Sequence, residues 1–452
     1  MEYPGSVLTR KWRRGLLCFF IATFLITTPI IVLYTSGYRY DWHNGLLKQT
    51  GALSLDMQPR DAELYINNER IIGLAPFRFK NIAPGHYHVR LTATGYYSWE
   101  KEIDIREKQT TYLKDIELIA KSRAELIAEG PITQLFLSPD ERTLLYALPS
   151  ATSTAWHLLD TPSQQSRVIF RGPSTQNAQT AWAKKQSFAA WSMPGTTTAK
   201  LAIANTNEGS AAVVAEIENG SGFYWQENGA VPLLYYRFEN QLITYNPLTG
   251  QHTQAGELAA LDWSVYRDQI WTLTQTSSTA PLIITKDALG FSTVFGQLTN
   301  DALRERASEL EQWRLELVYE GGVLLKNNAT NQLYILSEAG GRLLPGSGTT
   351  LLSPFGNWLL WWNDSELWSY LPSEEPQLLK RSGERLQAIT PLDTFNTLAL
   401  ATAQGVKALF PYYLVETELP ISATNLVAAV EQRWLYVVGS AQNKMGLWKL
   451  AY

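Results

Sequence analysis

Few side chains in this sequence stand where chemistry would need them. His86 and His88 are two apart in a stretch that reads as a strand, so both project from one face, as the beginning of a metal site would. A zinc site wants three or four ligands, and neither a cysteine nor a third histidine lies nearby. His157 and His252 are isolated, and Asp140, Asp262 and Asp364 fall at positions where turn and capping roles suffice. The sequence has no phosphate-binding Gly-Lys-Ser/Thr run, no His-Glu-x-x-His pair, no Gly-x-Ser-x-Gly elbow and no calcium loop. No catalytic residue, cofactor ligand or metal ligand is therefore assigned, and no cofactor is expected. The densest grouping of candidate binding side chains is aromatic: Trp358, Trp361, Trp362, Trp368 and Tyr370. Core packing is the first reading of that group, and a platform for sugar or peptide is the second.

The elements that would position such residues begin with Gly15–Tyr34, twenty residues without a charge. As a helix it would cover roughly 30 Å, the thickness of a bilayer's hydrocarbon core. Its apolar run exceeds that of a cleaved signal peptide and lacks a small-x-small cleavage site at its end, with cleavage at the small residues Thr35-Ser36-Gly37 the alternative. Arg10, Lys11, Arg13 and Arg14 precede it, so the positive-inside rule puts residues 1–14 in the cytoplasm and the bulk outside. Tyr38, Tyr40 and Trp42 then form an aromatic belt at the outer interface, in a juxtamembrane linker over 35–50. The expectation is a single-pass anchor over 15–34 in the cell membrane, N-terminus inside. The one cysteine, Cys18, lies in this span, and Gly-Leu-Leu before it is a poor lipidation signal, so it reads as a passive thiol.

With 452 residues, two or three domains are expected. The 16 Trp, 22 Tyr and 15 Phe favour pleated, half-buried surfaces and hence a mainly β chain. Against Glu2 the basic tail carries +3, which leaves −7 on the remainder and gives nucleic-acid binding no support.

Over 51–119, apolar residues alternate at Leu53-x-Leu55-x-Met57, Leu64-x-Ile66, Tyr87-x-Val89-x-Leu91 and Ile103-x-Ile105, between turns at Pro59–Asp61, Asn67-Asn68, Pro84-Gly85 and Gly95. This pattern predicts a compact antiparallel sandwich. Gly51-x-Leu53, Pro59-x-x-Ala62, Leu64-Tyr65-Ile66-Asn67, Gly73-x-x-Pro76, Pro84-Gly85-His86-Tyr87-x-Val89 and Gly95-Tyr96, in order and at the right spacing, resemble a PEGA domain. Two elements differ: Pro59-Arg60-Asp61-Ala62 replaces the eponymous tetrapeptide, and Asn67-Asn68 the usual Asp-Gly turn. The resemblance implies a small β-sandwich of extracytoplasmic proteins, and carries no catalytic residue.

From 120 to 452 a unit recurs roughly every 35–55 residues: a short strand, a polar turn, then an apolar strand. Thr133–Asp140 into Leu144–Ala147, Thr180–Ala183 into Phe188–Trp191 and Leu426–Ala429 into Trp434–Val437 are examples. Four strands over about 41 residues is the spacing of a β-propeller blade. Eight blades are expected, with seven the alternative. The last unit stops after its third strand, and Ala124–Glu129 would supply the outer strand that closes the ring. Thr299–Trp313 breaks the rhythm and predicts an inserted helix with Leu303, Ala307, Leu310 and Trp313 on one side. Leu137-Ser-Pro-Asp140 followed by Leu144-Leu-Tyr146 is similar to the turn and strand of TolB-like propellers.

Together these point to a non-enzymatic binding or scaffold protein of the cell envelope, its propeller face taking an envelope protein or a cell-wall glycan. A glycan-active hydrolase or lyase with acidic residues at the propeller mouth is the alternative, and a purely structural spacer the third reading. A mouth lined by Thr, Asn and Gln would favour binding; two carboxylates about 5–10 Å apart would favour catalysis.

Overall fold

The computed structural model describes residues 10–35, 37–41, 46–173, 178–277, 280–288, 291–299, 310–353, 358–372, 374–394 and 397–452. They form two compact units, Met1–Lys121 and Ser122–Tyr452.

In the first unit, α1 (Arg10–Thr35) is a single helix of 26 residues, and Lys11–Thr35 is long and apolar enough to cross a membrane. It starts five residues before the apolar run, because arginine and lysine are good helix formers. Inside it, threonine hydroxyls turn back onto the backbone: Thr27 donates to the Thr23 carbonyl at 2.8 Å and Thr35 to that of Ile31 at 2.9 Å. The expected linker is partly ordered: β1 (Tyr38–Asp41) and β2 (Leu46–Gln49) pair as a hairpin. Tyr38 and Tyr40 lie on β1, whereas Trp42 lies outside the described residues.

The strands that follow are β3 (Gly51–Gln58), β4 (Glu63–Ile66), β5 (Glu69–Ile71), β6 (Phe77–Ile82), β7 (Gly85–Thr92), β8 (Trp99–Ile105) and β9 (Thr110–Glu117). They make two sheets, β6-β3-β9 and β5-β4-β7-β8. Of the alternating residues, Leu53, Leu55, Met57, Leu64, Val89, Leu91, Ile103 and Ile105 are buried and Ile66 and Tyr87 half-buried, and Trp99 joins the core. Asn67 and Asn68 both adopt positive φ, 50° and 67°, the conformation of a tight hairpin turn. The expectation of an antiparallel sandwich needs one correction: β3 and β9 pair in parallel. First and last strands run the same way here, since the chain crosses to the other sheet and back between them.

In the second unit, every sheet among the described residues is four-stranded, and there are eight. Their first strands are Gln134–Leu137, Thr180–Trp182, Phe223–Trp225, Asp262–Tyr266, Trp313–Tyr319, Thr349–Leu352, Leu386–Pro391 and Ser422–Ala429. First strands contact one another from the second sheet through to the fifth and from the seventh to the eighth, which places them innermost, and the eighth meets the first. The ring is a β-propeller. Its core is a series of apolar seams between sheets. Trp156 of the first sheet meets Trp191 of the second, with ring centroids 5.3 Å apart, and Tyr224 of the third meets Trp263 of the fourth at 5.0 Å. Tryptophan suits these seams, because one flat ring spans the gap between two sheets.

The eighth sheet closes the ring. β10 (Glu125–Glu129) pairs antiparallel with Lys444–Ala451 as its outer strand, with Glu125 opposite Lys449. A turn residue of the first sheet then locks the seam: Val430 and Glu431 of the eighth sheet donate their backbone N–H groups to the two carboxylate oxygens of Glu141, at 2.7 and 2.9 Å. Burial pushes the Glu141 carboxyl above the usual range, against the lowering effect of those bonds.

The predicted insertion falls on 300–309, outside the described residues. Its expected final residue is corrected: Trp313 does not end a helix but opens an inner strand, fully buried, after one 3-10 turn over Leu310–Gln312.

Candidate functional site

The innermost strands all begin at one mouth of the channel, and a recess of about 540 Å³ opens there across the fifth to eighth sheets. Each wall comes from the same place in successive blades. Lys326 is the last residue but one of the second strand of the fifth sheet, Gly322–Asn327, and Asn331 lies in the turn after it. Gly348 and Thr349 enter the sixth sheet, and Trp362, Asn363 and Asp364 run from its second strand into the following turn. Arg385, Leu386 and Gln387 enter the seventh sheet, and Thr424 lies on the inner strand of the eighth. The turns are held by their own asparagines: Asn363 Oδ1 accepts the N–H groups of Ser365 and Glu366, both at 2.9 Å.

The charges of the recess are paired. Arg385 Nε donates to Asp364 Oδ1 at 3.0 Å. Lys326 Nζ stands 3.6 Å from Glu316 Oε1 on the fifth inner strand, which also accepts a hydrogen bond from Thr350 at 2.6 Å. Among the lining residues Asp364 is the one carboxylate. What remains are amides and hydroxyls, those of Asn331, Thr349, Asn363, Gln387 and Thr424. Such an arrangement can exchange hydrogen bonds with a ligand, and the two acids described beside it, Asp364 and Glu316, each face a cation of the wall.

Of the two readings of the aromatic group, its burial fits core packing, the first, and not a binding platform, the second. Trp358, Trp361, Trp362 and Tyr370 are buried and Trp368 is half-buried. Strand alternation deals them to opposite faces of the sixth sheet. Trp358 and Trp362 pack against Leu386, Ile389 and Leu398 of the seventh, while Trp361, Tyr370 and Trp368 pack against Tyr319, Leu324 and Ile335 of the fifth. Polar edges are satisfied internally, with Trp361 Nε1 donating to the Pro345 carbonyl at 2.8 Å. Seam-filling, not presentation, explains the cluster.

The other singled-out residues have structural partners. His86 pairs with Asp104, and His88 Nε2 lies 3.5 Å from Glu100 Oε2, on the exposed face of β7 and β8. Among the described residues no three His, Cys, Asp or Glu side chains are grouped to hold a metal. Asp140 accepts from the Ser138 hydroxyl at 2.6 Å, a turn role. Asp262 is not a loop acid: it opens the fourth inner strand and accepts the N–H of Leu315 on the fifth at 2.9 Å, tying two blades together. Burial pushes its carboxyl up. His252 Nδ1 hydrogen-bonds the Tyr236 hydroxyl at 2.9 Å.

His157 stacks on Tyr146 with centroids 4.8 Å apart, and burial, with Arg171 nearby, pushes its pKa below the ordinary value. A histidine that resists protonation when folded but not when unfolded makes stability fall as pH drops from the unfolded pKa, about 6.5, toward the lower folded one. Wild-type chain is expected to lose thermal stability between about pH 6.5 and 5, and His157→Gln to lose less across that window. Parallel thermal scans at both pH values check this; equal slopes would remove His157 from the account.

Apart from Trp362 and Asp364, named for other reasons, sequence reasoning missed the recess residues. They carry no motif, and each is ordinary alone. Their common position, at the entry to an inner strand or in the turn after the second strand, is the one available signal.

Residues 50–118 match the PEGA domain family. No curated protein matches the chain in sequence. Among solved structures, the β-propeller domain of Myceliophteria thermophila Cps50 (Swd1) is similar at 12% identity and a TM-score of 0.43, covering 72% of this chain and 98% of that one. The β-propeller domain of the trilobed protease from Pyrococcus furiosus gives 11%, 0.41, 62% and 93% in the same terms. An oligogalacturonate lyase in complex with manganese gives 10%, 0.39, 72% and 98%. Likenesses this distant say nothing of what the chain binds.

Proposed function

We propose that this chain is a membrane-anchored, extracytoplasmic binding or scaffold protein of the cell envelope, without catalytic activity of its own, whose propeller mouth takes the ligand. The observation that carries the reading is the recess. Its wall is built of amide and hydroxyl side chains, and its one lining carboxylate is bound to Arg385. A glycan hydrolase would need two carboxyl groups acting on one bond, whereas Asp364 faces Arg385 and Glu316 faces Lys326. Its volume of about 540 Å³ falls within the roughly 300–1,000 Å³ of small-ligand sites. The anchor reading rests on α1, with Lys11, Arg13 and Arg14 at its N-terminal end, and on the PEGA match just after it. The N-terminus would then be cytoplasmic and both β units outside.

A photo-crosslinking side chain placed at Thr424 in the full-length chain, in the membranes of cells that make it, tests this. The expected result is a discrete adduct, of protein or glycan, absent when the probe sits at Thr293 on the exposed outer strand Phe291–Leu298. No adduct from Thr424, or the same adducts from both sites, would overturn the reading.

A further inference from the structure

We propose that the ligand of this recess is an uncharged carbohydrate segment, an inference that rests on the mouth being a binding site and adds its chemistry. Three properties of the wall decide it. First, each charged side chain of the wall stands beside an opposite charge, Arg385 Nε 3.0 Å from Asp364 Oδ1 and Lys326 Nζ 3.6 Å from Glu316 Oε1, so these four groups present no net charge to draw an ionic ligand. Second, the apolar lining residues are closed off. Trp362 is 7% exposed and Leu386 3%, both in the seam beneath. A peptide docks by inserting apolar or aromatic anchors into pockets, and this floor has none open. Third, the remaining side chains are Asn, Gln and Thr: Asn331, Thr349 and Gln387 each carry a donor and an acceptor together, while Asn363 uses its Oδ1 in its own turn and Thr424 donates its hydroxyl to the Val438 carbonyl. That is the complement of a sugar hydroxyl, which also donates and accepts at one atom.

The recess has a further property that suits a chain of sugars. Its polar groups are spread across four consecutive sheets, from Asn331 through Thr349 and Gln387 to Thr424. An extended ligand can follow that arc and make one or two bonds to each blade. Each bond to an exposed wall competes with water, so affinity is modest and comes from the number of contacts.

The experiment uses the full-length chain in a detergent without a sugar headgroup. It is offered immobilised oligomers of glucose, mannose, galactose and N-acetylglucosamine, then uronate and sulfated oligomers, then a peptide array. The expected result is binding to at least one uncharged oligomer, unchanged by about 0.5 M salt. That binding should weaken about tenfold in Gln387→Ala and in Asn331→Ala, and stay unchanged in Thr293→Ala. Binding only to charged oligomers or only to peptides, lost in Gln387→Ala, would overturn the carbohydrate assignment and leave the mouth as a binding site. Sugar binding indifferent to both recess substitutions, or no sugar bound at all, would overturn the carbohydrate assignment too. Failure of the broader reading shows separately, as no specific adduct from Thr424 in membranes.

Discussion

Trp191→Ala is expected to cost the propeller about 3–5 kcal/mol, the range for deleting a buried indole. Trp191 is completely buried in the second strand of the second sheet. Its ring meets Trp156 of the first sheet at 5.3 Å and the edge of Phe170 at 6.0 Å, in a cluster with Leu145, Ala147, Met193 and Ala202. Removing it opens a cavity in a seam whose walls are two separate sheets, each pinned by its other neighbour in the ring. The walls therefore have little freedom to collapse. Denaturant unfolding of the full-length chain in detergent, followed by tryptophan emission, gives the number. Trp191→Phe should keep roughly half of the lost stability. A cost under about 1 kcal/mol for the alanine variant would mean the seam closes on its own.

Gly348→Ala is expected to cost about 2–5 kcal/mol through backbone alone. Gly348 has φ +145°, and a Cβ there would stand 1.8 Å from the Trp362 carbonyl oxygen and 2.5 Å from its carbon. Both atoms are backbone, in the strand opposite, so neither can swing aside. The entry into the sixth inner strand must shift, and with it the Thr349 wall of the recess. Gly383→Ala is the matched control: it lies in the turn between the sixth and seventh sheets, and nothing stands within 4 Å of its Cβ position. Thermal unfolding of the two variants should separate widely, with Gly383→Ala near wild type. Equal midpoints would show that the strand entry is slack.

Much of the fold was legible because its signals are local. The alternation of Leu53, Leu55 and Met57 names a buried strand face, and Asn67-Asn68 names a left-handed turn. The clasp by β10 followed from counting strands in the last unit. Where the period breaks, reading failed. β9 buries Leu113 and Ile116, three apart, because Asp115 at φ 57° adds a bulge between them, so no alternation marks the strand. The parallel pairing of β3 with β9 leaves no trace in either strand's composition. The aromatic run from Trp358 to Tyr370 shows a different limit. Density of tryptophan is visible in a sequence, but whether the rings line a seam or a surface depends on neighbours contributed by other blades. The recess lies beyond that limit altogether, since its residues are brought together by ring geometry and share only a position in the repeat.

The clasp also sets a schedule. β10 is made early, yet its partner strand lies more than 300 residues further along, with Glu125 opposite Lys449. At the roughly 5–20 residues per second of protein synthesis, that gap takes about 15–65 s. Throughout it the first strand of the ring has no partner, and the seam sealed by Glu141 has only one wall. Blades can stack one after another as they emerge, but the circle is completed in a single late event. The nascent head is thus an open row with two bare ends until the last blade is made.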